Sequence, residues 1–304
     1  MQTNKPKALV TGSAGFIGSH LAEALEEKYA VLGIDNFSAG VLKKVPAIKK
    51  DIVSDDITPH FRGAETVFHF AANPDVKIGA TNTNIHIEQN IIATHRVLEA
   101  MRKNSVKKIV FASSSTVYGN AKKIPTPEEY APLEPVSIYG ASKLACESII
   151  CAYCHTFNMQ AWIFRFANVI GPRSNHGIIP DFIRKLKTNP KKLEILGNGE
   201  QNKSYLYIED CIHAIIVGFE KSSKKINIFN VGSKTQTNVK KIAEIVADEA
   251  NLAPHHVFTG GIEGWKGDVP VMMLDITKLT ALGWKPKRTS NEAIKKTVTE
   301  SINT

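Results

Sequence analysis

Lys7-Ala-Leu-Val-Thr11, running without a break into Gly12-Ser-Ala-Gly15-Phe-Ile-Gly18, decides the fold of this chain. The first five residues read as a short buried strand. A helical pattern follows, from Ser19 to about Lys28. Glycines at this spacing let the backbone turn tightly, approach a pyrophosphate, and pack the helix close to the strand. The helix N-terminus then presents free N–H groups and a positive dipole end to the phosphates. Strand before and helix after give the triplet the context of a dinucleotide site, in which Gly12, Gly15, Phe16, Ile17 and Gly18 face the cofactor.

Working outward, the strand Tyr29–Ile34 delivers Asp35-Asn36, about 20 residues beyond the glycines. A carboxylate there accepts hydrogen bonds from both adenosine ribose hydroxyls and repels a 2′-phosphate, which argues for NAD over NADP. A third strand, Ala47 to Lys50, ends in Asp51-Ile52, a pair placed either to face the adenine or as part of an ordinary loop. The strand Thr66–Phe70 leads to Ala71-Ala72, small enough to leave room for flat rings beside Phe70. A long helix is expected from about Thr83 to Asn104, carrying Asn90 and Thr94. The strand Lys108–Ala112 then opens onto Ser113-Ser114-Ser115-Thr116. Strands alternating with helices predict an α/β fold: a doubly wound parallel sheet with its crevice at the strands' C-terminal ends.

Ser137-Ile-Tyr139-Gly-Ala-Ser-Lys143 opens a further helix, expected to reach about His155. Tyr139 and Lys143 are four residues apart and share a face. A phenol ionises near pH ~10, and an ammonium beside it favours the phenolate, producing a usable acid/base. Such a spacing is common on helices. The glycine turn, Asp35 and the serine cluster are what direct it to one crevice.

With those motifs in order, the chain resembles the extended short-chain dehydrogenase/reductases, in the NAD-dependent epimerase/dehydratase family, nearest the UDP-glucose 4-epimerase branch. Phe164-Arg165-Phe166-Ala167-Asn168, Gly197-Asn198-Gly199-Glu200-Gln201, Gly267-Asp268-Val269-Pro270 and Leu282-Gly283-Trp284 extend the likeness to nearly the whole length. The resemblance implies bound NAD. It puts Ser114 on the sugar's 4-hydroxyl, Tyr139 as acid/base, Lys143 on the nicotinamide ribose, Asn90 on the cofactor, and Asn168 near the substrate diphosphate. Dehydratases of the family carry Asp-Glu where this chain has Ser115-Thr116, and neither hydroxyl is an acid near neutrality. Arginines that pair with substrate phosphate in the family are replaced here by Asn202-Lys203 and Glu263-Gly264-Trp265-Lys266. Lys203 and Lys266 are therefore the expected phosphate partners, as point charges without a bidentate fork.

The implied activity is C4 epimerisation of a nucleotide sugar, with a UDP-hexose as partner. A nucleotide-sugar reductase or dehydratase, or a non-catalytic nucleotide-binding regulator or RNA-associated protein, are the alternatives. Residues 1–167 are expected to form the NAD domain, with segments near 205–232 returning to its sheet. Residues 168–304 should supply most of a smaller, discontinuous α/β substrate lobe. His176–Pro180 and Arg184–Lys192 read as interruptions of regular structure, and Val239–Asn251 as an amphipathic helix.

The chain has 304 residues, 43% hydrophobic, enough for a full core. Its formal charge of +9 comes from scattered lysine pairs such as Lys122-Lys123 and Lys224-Lys225. That pattern excludes a clustered nucleic-acid footprint and mildly favours capture of an anionic metabolite. No apolar run is long enough to span a membrane, and Met1–Lys7 is polar, so a soluble cytoplasmic protein is expected. Cys151 and Cys154 form a C-x-x-C inside a helix, where buried reduced thiols are expected. His176 and His255-His256 have no partners at metal-ligand spacing, so no metal is assigned. The helices at Thr83–Asn104 and Ser137–His155 carry apolar residues in more than one direction. They are expected to form a four-helix bundle across a homodimer, unless the C-terminal lobe covers them.

Overall fold

The computed structural model describes residues 5–38 and 45–302. Seven parallel strands form the central sheet: β1 (Lys7–Thr11), β2 (Ala30–Asp35), β3 (Ala47–Lys49), β4 (Ala64–His69), β5 (Lys108–Ser114), β6 (Gln160–Phe166) and β11 (Ile226–Val231). Their order is β11-β6-β5-β4-β1-β2-β3. The chain reverses its winding direction between β1 and β4, and a crevice opens there at the C-terminal ends.

Strand alternation builds two separate cores. Ala8, Val10, Phe68, Val110 and Phe164 pack on one face, against α1 (Phe16–Leu25) and α6 (Ile208–Glu220). Leu9, Val67, Ile109, Phe111 and Ile163 pack on the other. That second face lies under α3 (Ala93–Lys103) and α4 (Ile138–Thr156). Strands buried on both sides read as continuous apolar runs, which is why β1, β5 and β6 are legible in the sequence.

Three elements depart from expectation. The long helix is composite: α2 (Asn84–His86), a π-helical segment (Ile87–Ile92), then α3. Residues 178–188, expected as irregular chain, form α5 (Ile178–Thr188). Ile179, Phe182 and Leu186 bury one helical face there, while Pro180 sits in the first turn, where its missing N–H costs no hydrogen bond. Arg184 and Lys187, which give the segment the look of a loop, are exposed on this helix. Of the segment 205–232, only β11 joins the central sheet. β10 (Tyr205–Tyr207) pairs with β7 (Asn168–Ile170), and α6 packs against the sheet.

The C-terminal region adds β8 (Lys192–Ile195) paired with β13 (His255–Phe258). A three-stranded sheet joins β12 (Thr237–Asn238), β9 (Asn202–Lys203) and β14 (Val271–Met272). α7 (Val239–Glu249) and α9 (Ser290–Ile302) pack on each other and on α5, while the short α8 (Thr277–Ala281) lies against β11. Asn238 caps α7 by accepting from Lys241 N at 2.8 Å.

Candidate active site

A cavity of about 760 Å³ runs along the C-terminal ends of the strands and under the C-terminal loops. Its floor at one end is the glycine turn. Gly12 sits at φ +72°, and a Cβ there would fall 2.6 Å from Ala71 N. At Gly18 a Cβ would lie 2.0 Å from the Gly12 carbonyl oxygen, so only glycine lets α1 start this close to the turn. Gly15, Phe16 and Ile17 complete the wall.

Asp35 ends β2 with its carboxylate held from both sides. Oδ2 accepts from Ala14 N at 2.9 Å and Oδ1 from Phe37 N at 2.7 Å. This fixes an acceptor beside the turn, as ribose hydroxyls require. Asn36 donates to Asp51 Oδ2 at 3.0 Å, and that bond holds the Asp51 carboxyl below its usual range. Asp51 and Ile52 line the far edge with Asn36, and Phe70, Ala71 and Ala72 line the middle. A glycine turn, a fixed carboxylate and small residues beyond it form a cradle that fits NAD.

At the other end Ser114, Tyr139 and Lys143 come together. Ser114 terminates β5 and caps a 3-10 turn (Ser115–Tyr118), accepting from Thr116 N at 3.2 Å and Thr116 Oγ1 at 2.9 Å. Ser137 caps α4 by accepting from Gly140 N at 3.1 Å, setting the helix so that Tyr139 meets Ser114. The Ser114 side chain acts on the Tyr139 phenol, and both residues line the cavity. One turn on, Lys143 is buried, donates to Ala112 O at 2.8 Å, and stands 5.8 Å from the Tyr139 ring centroid.

The electrostatics correct one expectation. Burial pushes the Tyr139 phenol up to about 12, against a smaller lowering by the Ser114 hydrogen bond. Burial also brings Lys143 down to about 8. The protein alone therefore does not supply the lowered phenol expected from the Tyr139–Lys143 pair, because loss of water disfavours both charged forms.

Behind the site a buried ion pair joins α4 to the sheet. Glu147, one turn beyond Lys143, accepts from Arg165 Nη2 at 2.7 Å and from Ser113 Oγ at 2.5 Å. Arg165 also donates to the Tyr118 hydroxyl at 2.9 Å, which in turn donates to Asn230 Oδ1 at 2.7 Å.

Asn168 lines the cavity, its Nδ2 buried without an acceptor. Lys203 lines it too, paired with Asp268 Oδ1 at 2.5 Å. Two expected residues do not reach it. Asn90 is buried behind the wall, accepting from Asn73 N and donating to Ser142 Oγ, both at 2.9 Å. It ties the 70–80 loop to α4. Lys266 is exposed, and its neighbour Trp265 faces the cleft instead. Lys77 and Trp265 are among the lining residues to which motif reading gives no role. They sit in loops 188 residues apart, with no local pattern to mark either. The four cysteines are free, and burial raises Cys146, Cys151, Cys154 and Cys211 above the usual thiol range.

Residues 8–232 match the NAD dependent epimerase/dehydratase family. The chain is 30% identical over 317 residues to a UDP-glucose 4-epimerase of Mycolicibacterium smegmatis, covering 96% of this chain and 97% of the relative. A crystal structure of a UDP-galactose 4-epimerase superposes with TM-score 0.89 at 42% identity, covering 98% of this chain and 99% of that one. A Thermotoga maritima UDP-glucose 4-epimerase with UDP-glucose gives TM-score 0.88 at 31% identity, over 98% and 99%. The chain belongs to the NAD dependent epimerase/dehydratase family.

Proposed function

We propose that this protein is a NAD-dependent 4-epimerase of a UDP-hexose. The observation that carries this reading is the convergence of Ser114, Tyr139 and Lys143 in one cavity with the glycine turn and Asp35. Bound in that cradle, NAD supplies a reversible hydride acceptor for C4 of the sugar. Tyr139, through Ser114, takes the 4-hydroxyl proton as the ketone forms and returns it when the carbonyl is reduced on its opposite face. Lys143, fixed to Ala112 O, orients the nicotinamide ribose and keeps a positive charge near Tyr139. Asn168 and the cleft's cations hold the nucleotide diphosphate, giving binding energy remote from the reacting carbon. Ser115 and Thr116 provide no acid for elimination of water, which weighs against dehydration.

Two further parts of this reading are ours. NAD contacts come from Gly12, Gly15, Phe16, Ile17, Gly18, Asp35, Asn36, Asp51, Ile52 and the Phe70–Ala72 segment. The active form is a homodimer through the outer faces of α2, α3 and α4. Ile87 and Ile92 support it, at 41% and 42% exposed on the composite helix. Val97, Leu98 and Met101 of α3 are buried in the core and add nothing to this patch.

Net redox is zero, so purified protein carrying its cofactor converts UDP-galactose to UDP-glucose without added NAD. Proton NMR of the sugar checks this. Tyr139→Phe lowers the rate by about 10²–10⁴ and retains the cofactor. Unchanged C4 configuration for UDP-glucose, UDP-galactose and their N-acetyl and uronate forms rejects the reading.

A further inference from the structure

Two lysines meet one indole at the mouth of the cleft. Lys77 Nζ lies 4.6 Å from the Trp265 ring centroid, and Lys203 Nζ lies 5.0 Å from it. Lys77 belongs to a 3-10 turn (Lys77–Ala80) that follows β4, while Trp265 lies in the loop between β13 and β14. The contact therefore crosses the cleft, from the sheet side to the C-terminal loops.

The two cations are not equivalent. Lys203 is neutralised in place by Asp268, whose other oxygen accepts from Gly264 N at 3.1 Å. Lys77 makes no ion pair among the described residues. The nearest carboxylate in the chain, Asp75, accepts instead from the Lys77 backbone N–H at 3.0 Å. Trp265 Nε1 and Asn168 Nδ2 are buried donors without acceptors. A buried N–H left unpaired costs free energy that an incoming acceptor recovers. One uncommitted ammonium and two uncommitted N–H groups lining one cleft match the oxygens of a phosphate.

We infer that Lys77, held over the Trp265 indole, is the cation that receives the sugar-side phosphate of the nucleotide-sugar diphosphate, with Trp265 Nε1–H as a donor beside it. The inference rests on the UDP-hexose reading and gives it a phosphate partner where Lys203 is committed and Lys266 faces solvent. The sugar-side phosphate is chosen because the turn abuts the catalytic end. Gly79 packs against the His86 ring and Ile138, and the His86 ring lies 5.5 Å from that of Tyr139. An ammonium over an indole is partly stabilised by the ring while its outer protons stay available. As a point charge it anchors a phosphate without fixing its orientation, which suits a sugar that turns over between hydride transfers.

Trp265 also reports on the site. Of the three tryptophans, Trp162 and Trp284 are buried, and Trp265 alone lines the cavity. The test titrates NAD-loaded protein with UDP and with UMP, followed by tryptophan fluorescence and by calorimetry. Wild type is expected to bind UDP about tenfold or more tighter than UMP, the increment of one charge-assisted phosphate contact. Lys77→Gln should lose most of that increment while UMP affinity and NAD content stay within about twofold, and Lys77→Arg should retain it. Trp265→Phe should abolish the fluorescence response but leave UDP binding measurable by calorimetry. Wild type that ignores UDP overturns the functional reading and the inference with it. Wild type that binds UDP, with Lys77→Gln keeping the full UDP-over-UMP increment or losing UMP affinity equally, overturns the inference alone.

Discussion

Tyr139 and Lys143 are shifted in opposite directions by one cause, removal from water. For Lys143 the consequence for stability has a definite sign. Its folded value, about 8, lies below the ordinary lysine value of 10.5. Between those pH values the unfolded chain keeps a proton that the folded protein has released, so stability rises with pH across the window. The rise is at most about 1.4 kcal/mol per pH unit; below pH 8 the cost of a buried ammonium is constant. Urea unfolding of wild type and Lys143→Met between pH 7 and 10 isolates the effect. Wild type is expected to gain on the variant as pH rises from 8, and parallel curves reject the assignment. At this scale the residue identities of the site were legible: Gly12, Asp35, Ser114, Tyr139 and Lys143 all line the cavity. Asn90 and Lys266 were not, because which way a side chain points in a composite helix or an irregular loop has no period to read.

Elements meet behind the site through Glu147 and Arg165. The Arg165–Glu147 pair, with side chains only 4% and 5% exposed, clamps α4 to β6 while Ser113 clamps it to β5. These contacts set the relative position of the strand end that carries Ser114 and the helix that carries Tyr139. Arg165→Met leaves a carboxylate buried without its cation and is expected to cost about 3–5 kcal/mol. The double variant Glu147→Leu/Arg165→Met removes the unpaired charge and should recover much of that loss. Equilibrium denaturation checks both, and a single variant as stable as wild type would show that the pair contributes nothing. The motif reading placed Arg165 in a family stretch and passed over Glu147. A glutamate one turn after a lysine looks like a surface helix pair until the sheet closes over it. α5 was missed for a related reason: its lysines and Pro180 dominate the string, whereas the three apolar residues that bury it act only when α7 and α9 are present.

At the scale of the whole molecule, a second copy of the chain is expected to cover the outer faces of α2, α3 and α4. The patch is narrower than the sequence pattern implied, since α3 turns Val97, Leu98 and Met101 inward. Leu144, Ile149 and Tyr153 are half-buried, and the Tyr153 hydroxyl donates to Glu99 at 2.7 Å. What is left is a seam of Ile87, Ile92 and the exposed Ala152 on neighbouring helices. Light scattering at micromolar concentration should return twice the 33.4 kDa chain mass. Ala152→Glu should halve that mass by placing an unpaired charge at the seam. A wild-type protein that scatters as a monomer rules the interface out. Among the described residues no helix is long and apolar enough to cross a membrane.

The sequence by itself determined the sheet and the chemistry at its edge. Buried parallel strands are continuous apolar runs, and the turns between them carry glycine, acid and hydroxyl residues at spacings set by backbone geometry. Those signals are local, each contained in a dozen residues. Only the tertiary structure decided which cations face the cleft. Lys203 is committed by Asp268, 65 residues away, and Lys77 is placed by an indole 188 residues away. A pairing between distant loops depends on how the lobes close over the crevice, and nothing in the chemistry of a lysine announces its partner.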